Sequence, residues 1–140
     1  MGNYLVSYAD TDAGGVLHHA RYIELAEHGY HGWLKHRGLS FRNLGRDHDL
    51  SLVVYEITAK YKSAVFLEDE IGVETRLHAL DRRGLEWKTR IFRDDGELAF
   101  SMLTKMACLA VTTRSIVSVP DFLIERLGAQ VGAEMFAGAE

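Results

Sequence analysis

Asp10-Thr-Asp-Ala-Gly-Gly-Val-Leu-His-His-Ala-Arg-Tyr22, DTDAGGVLHHARY, sets two acids, two glycines and two histidines directly ahead of an amphipathic run. At 100° per residue, the run from Ala20 to Arg37 gathers Tyr22, Leu25, Ala26, Gly29, Tyr30, Trp33 and Leu34 on one arc. Arg21, Glu24, His28, His31 and Lys35 take the other, so the spacing predicts a helix with one buried face. Lys35, His36 and Arg37 suit the negative end of the helix dipole, and Gly38 is a natural stop. Upstream, Tyr4 to Tyr8 reads as a short strand and Gly14-Gly15 as a turn.

Downstream the period changes from helical to alternating. Val53, Tyr55, Ile57, Ala59 and Tyr61 alternate with Val54, Glu56, Thr58, Lys60 and Lys62. Ile71, Val73, Thr75, Leu77 and Ala79 form a second such series; after Asp81-Arg-Arg-Gly84, Leu85, Trp87, Thr89 and Ile91 form a third, which predicts a hairpin. Asp94-Asp-Gly96 turns the chain into a long strand from Glu97 to about Thr112. Pro120 opens a short closing helix through Ile124 and Leu127 with Gly128 after it, and the tail beyond reads as frayed. The expected order is strand, turn, long helix and four strands: an α+β fold in which one antiparallel sheet wraps one helix.

A chain of 140 residues suits one domain spanning 1–140, and 47% hydrophobic with 26% charged residues excludes disorder as the default. A net charge of -4 gives no general attraction to phosphate backbones, so nucleic acid is not an expected partner. No apolar run approaches the roughly 18 to 20 residues of a membrane span, the start does not read as a secretion signal, and Val6 spoils a myristoylation reading of Met1-Gly2. The lone Cys108 cannot form an internal disulfide, which favours a cytoplasmic setting, and in a long apolar strand it reads as core.

Acids at the first and third positions suggest a calcium loop, but Gly14 and Arg21 occupy the fifth and twelfth positions, where ligands are needed. The glycine pair lacks a P-loop lysine or a dinucleotide fingerprint. Glu24, His28 and His31 fall on the solvated arc, so no metal and no cofactor is expected. What remains is a carboxylate beside a helix start, whose unpaired N–H groups attract the oxyanion formed when a carbonyl is attacked. Asp12 is placed to attack an acyl carbon or to deprotonate water; Asp10 or Asp12 capping the turn explains the acids equally well.

The segment Asp10 to Val16, followed by His19-Ala-x-Tyr22, Glu27 and Trp33-Leu34, resembles the 4-hydroxybenzoyl-CoA thioesterase family, especially its Tol-Pal-associated acyl-CoA thioesterase branch. The likeness runs to the closing Val119-Pro120 and implies the hotdog fold, a long antiparallel sheet curled around a central helix. It implies Asp12 as nucleophile or general base, the His19 backbone amide as oxyanion donor, and Gly15, Val16 and Tyr22 as substrate-binding positions. Glu27 is a reserve catalytic candidate, because some hotdog enzymes use a helix carboxylate. His18 stands where relatives often have Tyr, and Ser63-Ala64 where they often have Pro-Ala; both positions bear on acyl-pocket shape.

The implied activity is hydrolysis of an acyl-CoA thioester to free acid and CoA in a tunnel at the interface of a homodimer or homotetramer. Lys60, Lys62, Arg82, Arg83 and Arg90 are the strand and hairpin cations available to CoA phosphates, and acyl carrier protein is the alternative thioester donor. Two other readings stay open. One is a hotdog 3-hydroxyacyl-thioester dehydratase using His19 and Glu27; the other is an acyl-thioester-binding module without turnover.

Overall fold

The computed structural model describes residues 4–136; Met1-Gly2 and the last four residues of the tail lie outside them. In chain order the elements are β1 (Tyr4–Leu5), α1 (His19–Lys35), α2 (Phe41–His48), β2 (Leu50–Tyr61), β3 (Glu70–Asp81), β4 (Gly84–Phe92), β5 (Leu98–Ala110), β6 (Ser115–Val117), α3 (Asp121–Leu127) and β7 (Glu134–Phe136). Among the described residues the strands form one antiparallel sheet in the order β1-β3-β4-β5-β2, with β6 beside β5 and β7 beside β3. The expected hairpin closes with Asp81 opposite Gly84, and β3, β4 and β5 form a meander.

Helix α1 buries the arc that its periodicity marks, Tyr22, Leu25, Ala26, Gly29, Tyr30, Trp33 and Leu34, and packs chiefly over β3. Two apolar clusters result. One joins Tyr22, Leu25 and Ala26 to Ile71, Ile91 and Phe100; the other joins Tyr30, Trp33 and Leu34 to Leu77, Trp87 and Leu123. Between them the helix comes down onto the sheet at Gly29, where an added Cβ would stand 2.3 Å from the Thr75 Oγ1. Only a residue without a side chain permits that approach. The hydroxyls of Thr75, Thr89 and Thr104 on the inner face of the sheet are buried without hydrogen-bond partners among the described residues.

Several elements differ from the sequence reading. The first strand ends at Leu5, and the chain reaches Asp10 through a 3-10 turn. Helix α2 is only eight residues long: Leu44 is its one buried residue with Phe41 packed beside it, and its ends are set by the Ser40 cap on Asn43 and the left-handed Asp49. Strand β2 begins three residues early, at Leu50. The tail is not wholly frayed, since Glu134–Phe136 pairs along β3 and the Trp33 indole N–H donates to the Ala133 carbonyl. Cys108 is core as expected; burial pushes its thiol up to about 11.

The Gly29 contact has a direct test. Gly29→Ala is expected to lower stability by about 1–3 kcal/mol in urea unfolding, the usual cost of overpacking. In a Thr75→Ala background, which removes the clashing Oγ1, the same change should cost far less. Equal cost in both backgrounds would show that the approach is not what excludes a side chain.

Candidate active site

The motif folds as a miniature hairpin. The Asp12 amide donates to the Val16 carbonyl at 2.9 Å, the Gly15 amide to the Asp12 carbonyl at 3.0 Å, and Gly15 turns the chain at φ 77°. A neighbouring segment clamps the hairpin from outside: the Leu17 amide donates to Val65, and the Leu67 amide to Gly15. Of the positions expected to bind substrate, Val16 and Tyr22 line the cleft described below, whereas Gly15 serves the turn.

The two acids have separate fates. Asp10 is buried, with 2% exposure, and accepts hydrogen bonds from the Tyr4 hydroxyl (2.8 Å), the Ser7 amide (2.9 Å), the Ser7 hydroxyl (3.2 Å) and the Arg21 Nε (2.7 Å). Burial pushes its carboxyl up, but the Ser7 amide, Tyr4, Arg21 and the Ser7 hydroxyl outweigh it and hold the group below its ordinary value. Asp10 is a structural clamp joining β1, the motif and α1. Asp12 is exposed: its Oδ1 accepts from the Gly14 amide at 2.8 Å, and its Oδ2 has no hydrogen bond among the described residues. Asp12 therefore caps the turn with one oxygen and keeps the other open.

Helix α1 starts at His19, one residue before the expected Ala20, because His18 caps it. The His18 Nδ1 accepts from the Ala20 amide at 3.2 Å, and the His18 carbonyl from the Arg21 amide at 2.9 Å. The His19 amide is left with no hydrogen bond among the described residues. Tyr61, at the end of β2, donates its hydroxyl to the His19 carbonyl at 2.7 Å, a tie across 42 residues that spacing gave no sign of.

These groups surround a cleft of about 400 Å³. Asp12, Val16 and Leu17 line it from the loop, His19 and Tyr22 from α1, and residues 61–64 from the turn after β2. Tyr22 stacks on Phe100 with ring centres 4.9 Å apart and meets Tyr61 edge-on at 5.1 Å, an aromatic wall beside the carboxylate. Burial raises the Tyr22 hydroxyl above its ordinary value despite a hydrogen bond with the Val65 backbone.

Other candidates lie elsewhere. Glu27 is exposed and does not line the cleft; at 1.5 Å per residue it stands about 12 Å along the helix from His19. Its charge, after burial, helps push the Tyr30 hydroxyl up to about 12. His19 and Glu27 are thus not brought together within one protomer. Among the cations, Lys62 lines the cleft and Lys60 a separate depression with Thr58 and Lys88. Arg82 pairs with Asp121, Arg90 with Glu74, and Arg83 lies beside Asp81 on the hairpin. No group of three metal-ligating side chains occurs among the described residues, and none of their helices is long and apolar enough to cross a membrane.

A family model described as the thioesterase-like superfamily matches residues 6–127. Acyl-CoA thioesterase YbgC of Haemophilus influenzae is 30% identical, covering 82% of this chain and 84% of its own. The crystal structure of an Aquifex aeolicus protein superposes with a TM-score of 0.80 at 27% identity, covering 89% and 95% of the two chains. A 1,4-dihydroxy-2-naphthoyl-CoA thioesterase from Synechocystis gives a TM-score of 0.80 at 19% identity, covering 89% and 92%, so the curled sheet around α1 is the hotdog fold.

The Asp10 clamp predicts a pH dependence. A carboxyl held below its ordinary value of 3.8 by native contacts contributes stability that is present above that value and is lost as pH falls through the folded-state value. Asp10→Asn should therefore cost about 2 kcal/mol near neutral pH, with the gap to the parent narrowing in acid. Urea midpoints across pH 2.5 to 7 read this directly, and a gap independent of pH would remove the charge from the account.

Proposed function

Because the chain belongs to the thioesterase-like superfamily, we propose that it hydrolyses acyl-CoA thioesters to the free acid and CoA, with Asp12 driving the reaction. The observation that carries this reading is one cleft lined by both a carboxylate with an open oxygen and a helix-start residue whose amide is unpaired, Asp12 and His19. The name of the Haemophilus relative supports acyl-CoA as the thioester. Finer placement in the 4-hydroxybenzoyl-CoA thioesterase family rests on the Asp10–Val16 motif.

In the general-base form, Asp12 takes a proton from water as the water oxygen bonds to the thioester carbon. The carbonyl electron pair moves onto oxygen, which the His19 N–H stabilises. Collapse restores the carbonyl and breaks the C–S bond, and the departing CoA sulfur receives the proton from Asp12. In the nucleophilic form the Asp12 carboxylate attacks first, expels CoA and forms an anhydride that water cleaves. Both forms use the same carboxylate.

Assembly into a dimer or tetramer belongs to the same reading. Strand β2 ends the sheet, and its Val54, Tyr55, Ile57 and Tyr61 are 42%, 63%, 40% and 49% exposed. An open edge carrying that much apolar surface invites a second strand. Since Tyr61 also lines the cleft, a second copy there would wall the acyl site.

Thiol release from short, long and aromatic acyl-CoAs tests the activity. Asp12→Asn is expected to lower kcat by about 10²–10⁴-fold while the protein stays folded and equally assembled; undiminished release would overturn the role of Asp12. Lys62→Ala should leave kcat in place and raise KM for CoA thioesters by up to about fivefold, because an exposed cation contributes at most about 1 kcal/mol. For assembly, light scattering should give a dimer or tetramer, with Ile57→Lys shifting the mass toward the monomer.

A further inference from the structure

We infer that Tyr61 is a positioning residue for the oxyanion donor: its hydroxyl ties the first residue of α1 to the end of β2 and so fixes where the His19 amide stands. This rests on the thioesterase reading above. The hydroxyl donates to the His19 carbonyl at 2.7 Å, and both residues line the cleft that Asp12 lines. The carbonyl and the amide of His19 flank a single Cα. Because each peptide is planar, only two backbone angles separate them, and a bond that holds one restricts the other.

A helix start needs such a tie. The amides of the first turn have no preceding turn to bond to, and the end frays unless other groups hold it. From the motif, the Asp10 carbonyl holds the His18 amide at 2.8 Å, and the His18 ring caps the Ala20 amide. From the sheet, Tyr61 holds the other side of His19. Helix α1 packs chiefly over β3, and the Tyr61 hydroxyl is the bond that reaches it from β2. The aim of that hydroxyl is set by ring packing: Tyr61 lies opposite Phe100 in the sheet register, meets its ring at 5.0 Å, and meets Tyr22 edge-on at 5.1 Å. Burial raises the hydroxyl above its ordinary value, so it keeps its proton at neutral pH.

Other uses of Tyr61 fit less well. A residue serving only as aromatic wall needs no hydroxyl, and Phe100 packs in the same wall without one. A direct donor to the substrate needs a free proton, and the one proton of Tyr61 is committed to His19. An N–H stabilises a developing oxyanion only when it already points at it, and a misplacement of about 1 Å can cost on the order of 10²-fold in rate. No bond forms or breaks at Tyr61, and its hydroxyl keeps its proton throughout.

The experiment compares Tyr61→Phe, Asp12→Asn and the parent in thiol release, in thermal unfolding and in affinity for an unreactive thioether analogue of the acyl-CoA. Tyr61→Phe keeps the ring and removes only the tie. It is expected to lower kcat about tenfold, with KM and analogue affinity within about twofold, because the amide acts chiefly in the transition state. Its Tm should fall by no more than a few degrees, the cost of one hydrogen bond. A kcat within about twofold of the parent, whatever the Tm, would make the tie merely structural and overturn the assignment. A loss expressed only in KM or in analogue affinity would make Tyr61 a substrate contact and overturn it too. Light scattering checks the mass; should Tyr61→Phe dissociate, equal kcat in dissociated Ile57→Lys would assign the loss to assembly and overturn positioning, whereas a lower kcat in Tyr61→Phe supports it. A parent inactive on every thioester, or indifferent to Asp12→Asn, overturns the thioesterase reading and Tyr61 with it. An active, Asp12-dependent parent indifferent to Tyr61→Phe overturns Tyr61 alone.

Discussion

The buried carboxylate of Asp10 holds the site in place. Tyr4 brings β1 to it, Ser7 the turn that follows, and Arg21 the first turn of α1. Arg21 also donates to the Tyr4 hydroxyl at 3.1 Å, so Tyr4, Arg21 and the Asp10 carboxylate close a triangle of hydrogen bonds. A buried anion is tolerable only when several donors surround it, and here they come from three separate pieces of chain. Through the bond from the His18 amide to its carbonyl, at 2.8 Å, Asp10 also fixes where the helix begins. The unpaired His19 amide and the open oxygen of Asp12 both depend on that anchoring.

A second constraint follows from how the helix lies. Gly29 lets α1 settle over β3, and most of β2 from Val54 to Tyr61 is left exposed, Ala59 alone packing against the core. Apolar residues are therefore exposed along the sheet edge, and one of them, Tyr61, lines the cleft with Asp12. The core divides into two clusters, with a line of threonine hydroxyls that have no partner among the described residues between them.

Much of the fold was legible because it follows local periods. The arc of α1, the alternation in β2 to β5 and the turns at Asp81–Gly84 and Asp94–Gly96 recur in the structure within a few residues. The elements that escaped are short, eight residues in α2 and three each in β6 and β7. Helix α2 buries one leucine and is held by its caps, while β6 and β7 are three-residue strands that exist because a neighbouring edge is free to pair. In the site, the motif drew attention to Asp12, His19, Val16 and Tyr22, which line one cleft. Spacing could not foresee Tyr61, which reaches the cleft from more than 40 residues away, nor separate Asp10 from Asp12 as clamp and open carboxylate; Ser63 and Ala64, which also line the cleft, were marked by the resemblance alone.

By itself the sequence determined which faces are apolar, where the chain turns, and that a carboxylate stands a short turn ahead of a helix, since these depend on residues near one another in the chain. Tertiary structure decided which acid is buried and neutralised by Arg21 and, among the described residues, which amide stays unpaired and which hydroxyls are left without partners. Those outcomes depend on desolvation and on donors brought from distant segments, and neither exists until the helix lies on the sheet.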